Sequence, residues 1–122
     1  MSARSPELVH AAFEQAFNSG NLESVLAMYE PGAGMDAEAG KFVVGQKAVR
    51  EVLAGFLALK GKIAVKTTRC VHVSDIAVLH ASWSLKGKGA DGQAVSLSGK
   101  TTEVVRKQAD GTWRYVIDLP EE

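Results

Sequence analysis

Disulfides, membrane spans and a dominant charge are all missing from this sequence. A single cysteine, Cys70, stands among 122 residues, so no intrachain disulfide forms and a reducing, cytoplasmic location is the simplest expectation. No stretch reaches the eighteen or so uncharged apolar residues of a membrane-crossing helix, and Met1 to Glu7 hold no apolar run of the kind that opens a secretory leader. Neither sign of charge prevails: 14 Lys and Arg face 14 Asp and Glu. That balance removes the summed attraction on which nucleic-acid and anionic-membrane binders rely, so neither partner is expected. Repeats, low-complexity tracts and long linkers are absent too. Residues 1–122 therefore read as one domain, long enough to bury about two-thirds of its unfolded surface without a metal or disulfide staple.

The pattern changes character halfway along. Ser5-Pro6-Glu7 is a helix start, after which Val9, Ala12, Phe13, Ala16 and Phe17 recur at helical spacing until Ser19-Gly20. Asn21 is placed to cap a short second helix whose Leu22, Val25, Leu26 and Tyr29 form one stripe, stopped by Pro31-Gly32. Two short extended pieces follow within residues 33–44, then a third helix from about Gln46 to Leu59 on Val49, Val52, Leu53 and Phe56.

From Ile63 the period drops to two. Ile63, Val65, Thr67, Arg69, Val71 and Val73 are expected on one face, followed after Ser74-Asp75 by Ala77, Leu79, Ala81, Trp83 and Leu85. A glycine-rich connection leads to Val95, Leu97, Gly99, Thr101, Glu103 and Val105, and Asp110-Gly111 turns the chain into Trp113, Tyr115, Ile117 and Leu119. Four sequential strands with short turns are antiparallel neighbours. Helices first and a meander after them predict an α+β fold with three helices on one face of a curved sheet. On the other face, His80, Ser82, Ser84, Ser96 and Ser98 make either a solvated surface or, because they are small, a flat surface for a homodimer.

Several motifs lack the context their chemistry needs. Gly32-x-Gly34-x-x-Ala37 follows a helix rather than a strand, against the dinucleotide fingerprint. His10, His72 and His80 show no metal-ligand spacing, and Cys70 in a strand reads as a packed thiol. No metal and no cofactor are expected.

Three segments carry a family likeness: Ala16-Phe17-Asn18-Ser19-Gly20-Asn21-Leu22-Glu23, Leu26-Ala27-Met28-Tyr29-Glu30 and Val44-Gly45-Gln46-Lys47-Ala48-Val49. With the closing Thr102-Glu103-Val104-Val105-Arg106-Lys107 and Asp110 to Asp118, the chain resembles the nuclear transport factor 2-like superfamily, in its ketosteroid isomerase-related, SnoaL-like branch. The resemblance implies a cone-shaped, cystatin-like α+β fold around a pocket, on a scaffold that hosts isomerases, cyclases, dehydratases, binding domains and oligomerisation modules. It also implies roles. The isomerase mechanism uses a carboxylate base with a Tyr and a protonated acid as oxyanion donors. Here the tyrosine position holds Phe13, the base position falls on Asp36 or Ala37, of which only Asp36 is a usable base, and the acid position falls on Glu103.

The residues point the same way independently. Glu103 shares a face with Val95, Leu97 and Val105, where desolvation would raise its pKa, unless Arg69, on the apolar face of another strand, pairs with it and anchors a polar ligand instead. Asp118 is placed to cap the pocket mouth. Phe13, Phe17, Trp83 and Tyr115 are expected on or near the wall, Tyr115 as a hydrogen-bond donor. Three functions follow: general acid/base chemistry on a small apolar molecule by Asp36 and Glu103, noncatalytic binding of an apolar or carboxylate-bearing ligand near Arg69, or a dimeric scaffold.

Overall fold

In the computed structural model, residues 2–38 and 40–121 are described. A 3-10 turn, Pro6–Leu8, leads into helix α1 (Val9–Asn18), followed by α2 (Leu22–Leu26), strands β1 (Tyr29–Glu38) and β2 (Lys41–Val44), and α3 (Gln46–Leu57). Four long strands complete the chain: β3 (Lys62–Val73), β4 (Ile76–Lys88), β5 (Ala94–Lys107) and β6 (Trp113–Glu121). They form one six-stranded sheet in the order β2-β1-β6-β5-β4-β3. Neighbours are antiparallel except β1 and β6, which run parallel. The α+β class and the meander agree with expectation; the parallel closure is an added feature, made because β1 returns to the end of the meander.

The second helix is shorter than its apolar stripe suggests. Asn21 does cap it, its side-chain oxygen accepting the Ser24 N–H at 3.2 Å. The helix ends at Leu26, however, and Tyr29 opens β1, so Pro31-Gly32 lie inside a strand instead of stopping a helix. Proline is tolerated there because the β1–β6 register breaks between Tyr29 and Gly34, and β2 pairs with β1 only from Gly34 onward.

All three helices lie on the inner face of the sheet, α1 against β3, α3 against β1 and α2 against α3. Val9, Ala12 and Phe17 of α1 meet Leu79, Leu85 and Val105 in the core. Each large apolar side chain removed from water here contributes roughly 1.5–3 kcal/mol. Gly61, before β3, has no room for a side chain: an added Cβ would sit 2.1 Å from the Lys86 carbonyl oxygen.

Two bulges reset the faces. Thr67 pairs with Ala81 but Arg69 with His80, so Thr68 is an extra residue in β3. Val104 pairs with Ile117 and Val105 with Tyr115, which makes Val116 the extra residue in β6. Because side chains alternate, one inserted residue exchanges inside and outside for everything beyond it. Cys70 consequently faces inward opposite Leu79, while Arg69, Val71 and Val73 face outward, against the single-face expectation for that strand.

Candidate functional site

A pocket opens between the helices and the sheet, with about 560 Å³ of atom-free space including its mouth. Phe13 and Phe17 from α1, Leu53 and Phe56 from α3, and Ile63 and Trp83 from the sheet form its apolar wall. Its polar end holds His10, Tyr29, Thr101, Glu103 and Asp118. Glu103 and Asp118 are directly paired across β5 and β6, on the inward side. Residues opposed in this way have Cβ atoms about 5 Å apart, so two carboxyl groups share one corner of an apolar chamber.

Each carboxyl group has its own partners. His10, on the pocket side of α1, makes a 2.7 Å contact from Nε2 to Glu103 Oε1 and a 2.6 Å contact from Nδ1 to Thr67 Oγ1. With Glu103 ionised, His10 donates its Nε2–H to the carboxylate. Tyr29 donates its hydroxyl to Asp118 Oδ2 at 2.6 Å, and Thr101 donates to Asp118 Oδ1 at 3.3 Å. His10, Glu103 and Asp118 are only 2%, 4% and 6% exposed, so these contacts operate with little competition from water.

Burial pushes the Asp118 carboxyl up to about 7, and the negative charge of Glu103 is the second cause; hydrogen bonds from Tyr29 and Thr101 pull the other way, and Asp36 adds a further push upward. Burial also lifts the phenols of Tyr29 and Tyr115 well above their ordinary value, so both stay protonated. At pH 7, close to its own pKa of about 7, Asp118 carries its proton about half of the time.

Of the residues expected at the site, Phe13, Phe17, Trp83, Glu103 and Asp118 line the pocket. Tyr115 does not: it is buried behind the wall, edge-on to Phe13 at 5.8 Å and tilted against Tyr29 at 4.9 Å. Asp36 is not on the lining. Met35, paired with Asp118 of β6, takes the inward position, and Asp36 pairs with Phe42, which is exposed on the opposite side. Asp36 and Glu103 thus do not converge. Arg69 is exposed on the outer face because of the Thr68 bulge, so the expected pair with Glu103 does not form. His10 occupies that role.

His10, Tyr29 and Thr101 entered the site without being expected there. His10 lies three and seven residues before Phe13 and Phe17, on the same helical stripe, and a titratable side chain on an apolar stripe is the signal that could have marked it. Tyr29 was masked by its fit to the helical stripe of α2. Among the described residues, no three His, Cys, Asp or Glu side chains are grouped to hold a metal ion.

The family model of the SnoaL-like domain matches residues 9–116. The chain belongs to the SnoaL-like domain family. No curated protein matches it, but solved structures do. A ketosteroid isomerase-like protein from Erwinia carotovora atroseptica superposes with a TM-score of 0.80 at 19% identity, over 93% of this chain and 90% of that one. A protein of the NTF2-like family from Streptomyces avermitilis, provisionally named a dehydratase, gives 0.76 at 17% identity over 93% and 90% of the two chains. A protein from Thiobacillus denitrificans, provisionally named a calcium/calmodulin-dependent protein kinase type II association domain, gives 0.77 at 20% identity over 100% and 99%. These likenesses show that this SnoaL-like domain has the NTF2-like cone fold; chemistry has to be argued from its own pocket.

Proposed function

We propose that this SnoaL-like domain is a cofactor-independent general acid/base enzyme acting on a small, largely apolar carbonyl compound. The observation that carries this reading is the opposed Glu103 and Asp118 at the polar end of the apolar pocket. Glu103, positioned by His10 and Thr67, is the base; Asp118, which carries its proton in about half of the molecules near its pKa of about 7, is the acid. In the first step the C–H bond next to the substrate carbonyl breaks and its proton passes to Glu103. The Asp118 proton passes to the carbonyl oxygen, leaving a neutral enol with the negative charge moved from Glu103 to Asp118. Return of the Glu103 proton to another carbon gives an isomer; its transfer to a β-hydroxyl, which leaves as water, gives a dehydrated product; its transfer to a second carbonyl oxygen attacked by the enol carbon closes a ring, and in each case the enol proton returns to Asp118. Phe13 supplies no donor at the position where the isomerases have a tyrosine, so the oxyanion depends on Asp118.

Solvent deuterium exchange into small cyclic ketones, starting with cyclohexanone, followed by NMR at neutral pD, tests the reading. Exchange should be faster with the protein and slower by about 10²–10⁴-fold in Asp118→Asn and in Glu103→Gln. Lack of exchange with every ketone, or exchange indifferent to both substitutions, would sink it. A noncatalytic pocket for an apolar ligand is the second reading. It is favoured by the absence, among the described residues, of any fully buried side-chain polar atom without a hydrogen-bond partner. Equal binding of an apolar dye to wild type and Asp118→Asn, with no exchange, would select this reading.

A further inference from the structure

The polar end of the pocket holds more acceptors than donors. With Glu103 ionised, the His10 Nε2–H goes to its Oε1, and the hydroxyls of Tyr29 and Thr101 go to Asp118. The Trp83 Nε1–H is turned away to the Lys100 carbonyl at 3.3 Å. Apart from the proton that Asp118 itself carries, the side-chain donors of the lining are therefore spent. On the acceptor side one atom is left over. Glu103 Oε2 makes no hydrogen bond among the described residues, while no fully buried side-chain polar atom there lacks a partner, so this oxygen opens on the pocket. It belongs to a side chain that is only 4% exposed, and no Lys or Arg stands on the lining among the described residues. A carboxylate oxygen this deep in an apolar chamber is costly until a donor meets it. What the pocket asks of a ligand is N–H or O–H groups.

Charge and shape narrow the choice. An anionic ligand would meet Glu103 at short range in a medium that screens poorly, with no Lys or Arg to receive it. A neutral carbonyl only accepts, and leaves Oε2 as it was. A metal ion needs a group of ligands that is not present among the described residues. A primary ammonium group meets each condition. It brings positive charge and three N–H donors to a corner where Glu103 and Asp118 are opposed across β5 and β6. With Cβ atoms about 5 Å apart, one nitrogen can lie between the two carboxyl groups at the roughly 2.8 Å of a charge-assisted hydrogen bond to each. Phe13, Phe17, Phe56 and Trp83 line the chamber beside that corner, Phe13 and Phe17 stacked at 5.9 Å. Aromatic faces suit a cation, and they cover the ring of a ligand whose polar head is carried on a short arm. A quaternary ammonium has the charge but no N–H, and would leave Oε2 unsatisfied.

We propose that the pocket binds a primary amine, in its ammonium form, on a short arm attached to an aromatic or alicyclic ring. The nitrogen lies between Glu103 and Asp118, and the ring lies against Phe13, Phe17 and Trp83. Amine binding does not require Glu103 to act as a base, so it stands apart from the catalytic reading. The two states of the corner then take different ligands. With its proton, Asp118 donates to a carbonyl oxygen; without it, both carboxyl groups accept from the ammonium. Ketone and amine use the same Oε2 and exclude each other.

Isothermal titration calorimetry of the full chain at neutral pH tests it with 2-phenylethylamine, 2-phenylethanol and phenylacetate, which keep the ring and change the polar head. The amine should bind at least about ten-fold more tightly than the alcohol, and phenylacetate should not bind. Glu103→Gln and Asp118→Asn should each weaken the amine by about ten-fold or more while changing the alcohol by no more than a few-fold. The comparison of the three probes on wild type needs no substitution, so the test holds even if circular dichroism shows a variant unfolded. The proposal is overturned if the amine does not bind up to the millimolar range, if the alcohol, phenylacetate or the trimethylammonium analogue matches it, or if folded Glu103→Gln protein binds it as well as wild type. Its failure leaves ketone deuterium exchange as a separate result. Where that exchange is observed, 2-phenylethylamine should inhibit it competitively, and exchange undiminished at saturating amine also overturns the proposal.

Discussion

The two faces of β3–β5 come from the same residues in alternation, yet they hold opposite chemistries. Inward, Leu79 of β4 stands opposite Glu103 and Val105 follows it on the same face, while its other neighbour, Asp118, is supplied by β6. Outward, Lys66, Arg69 and Lys100 stand among Ser82, Ser84 and Ser98 with no acid at the outward positions of those strands. Asp118 within is set apart by burial, which moved its pKa, and by its hydrogen bonds from Tyr29 and Thr101, whereas the cations outside keep their water and act only in sum. A carboxylate inside an apolar chamber is a local device, and a lysine row is a field. The most informative experiments are those that exchange the faces or disable one of them.

Inserting one alanine after Ser82 in β4 exchanges them most drastically. In strict alternation the residues beyond it change sides, turning Trp83 and Leu85 outward and carrying Lys86 inward. Losing two core side chains and burying an unpaired ammonium should cost more than about 4 kcal/mol, measured as loss of the cooperative urea transition. An insertion that leaves stability intact would show that the register does not set the two faces.

Removing His10 disables the inner face without changing its register. His10→Ala leaves the buried Glu103 carboxylate without its 2.7 Å partner and opens a cavity beside Thr67. Breaking a buried pair from one side costs about 3–5 kcal/mol, so a fall of that size in urea-unfolding stability at pH 7 is expected. His10→Ala, Glu103→Gln should recover part of the loss, because the uncompensated charge is then gone. Failure of the second substitution to recover anything would mean that His10 acts through packing alone.

The pH dependence of stability is next in size. The folded pKa of Asp118, about 7, lies above its unfolded value near 4, so between those limits the folded state binds the extra proton. Its contribution is full below about pH 4, declines as pH rises, and is lost above about pH 7. Between pH 5 and pH 8 wild type should lose roughly 2–3 kcal/mol from this group, a drop of several degrees in melting temperature. Asp118→Asn should flatten that slope. If it leaves the slope unchanged, the shared-proton picture of Glu103 and Asp118 fails. In the enzyme reading the same titration makes the rate fall on the alkaline side of about pH 7, where the acid has lost its proton.

These particulars show why the fold was more legible than the site. Apolar spacing in Val9 to Phe17 and alternation in Ala77 to Leu85 are local signals, and they predicted α1, the inner face of β4 and the α+β layout. Glu103 and Asp118 were each visible as acids in or near an apolar pattern, but their pairing depends on the β5–β6 register, which only the assembled sheet fixes. Arg69 was misplaced because Thr68 is an ordinary strand residue and gives no sign that the parity changes there. Asp36 was misplaced for the same kind of reason: its face depends on how β1 meets β6, a parallel pairing between distant segments. His10 lies on the α1 stripe but was read only against metal-ligand spacing, and its partner is 93 residues away, where no spacing rule connects them.

The smallest effect belongs to the outer face and tests the comparison from its weak side. Ser82 is exposed, lies between Lys66 and Lys100 and touches neither the pocket nor the core. Ser82→Val adds two methyl groups at a strand position that favours branched side chains, and surface changes away from caps, turns and buried networks stay within about 0.5 kcal/mol. Thermal unfolding should therefore shift by no more than a degree or two. The contrast with Asp118, inside the same sheet, is the point of the measurement. If Ser82→Val instead destabilised by more than about 1 kcal/mol, the outer face would be packed against something in solution, and its exposed lysine rows would have to be understood as part of a buried surface.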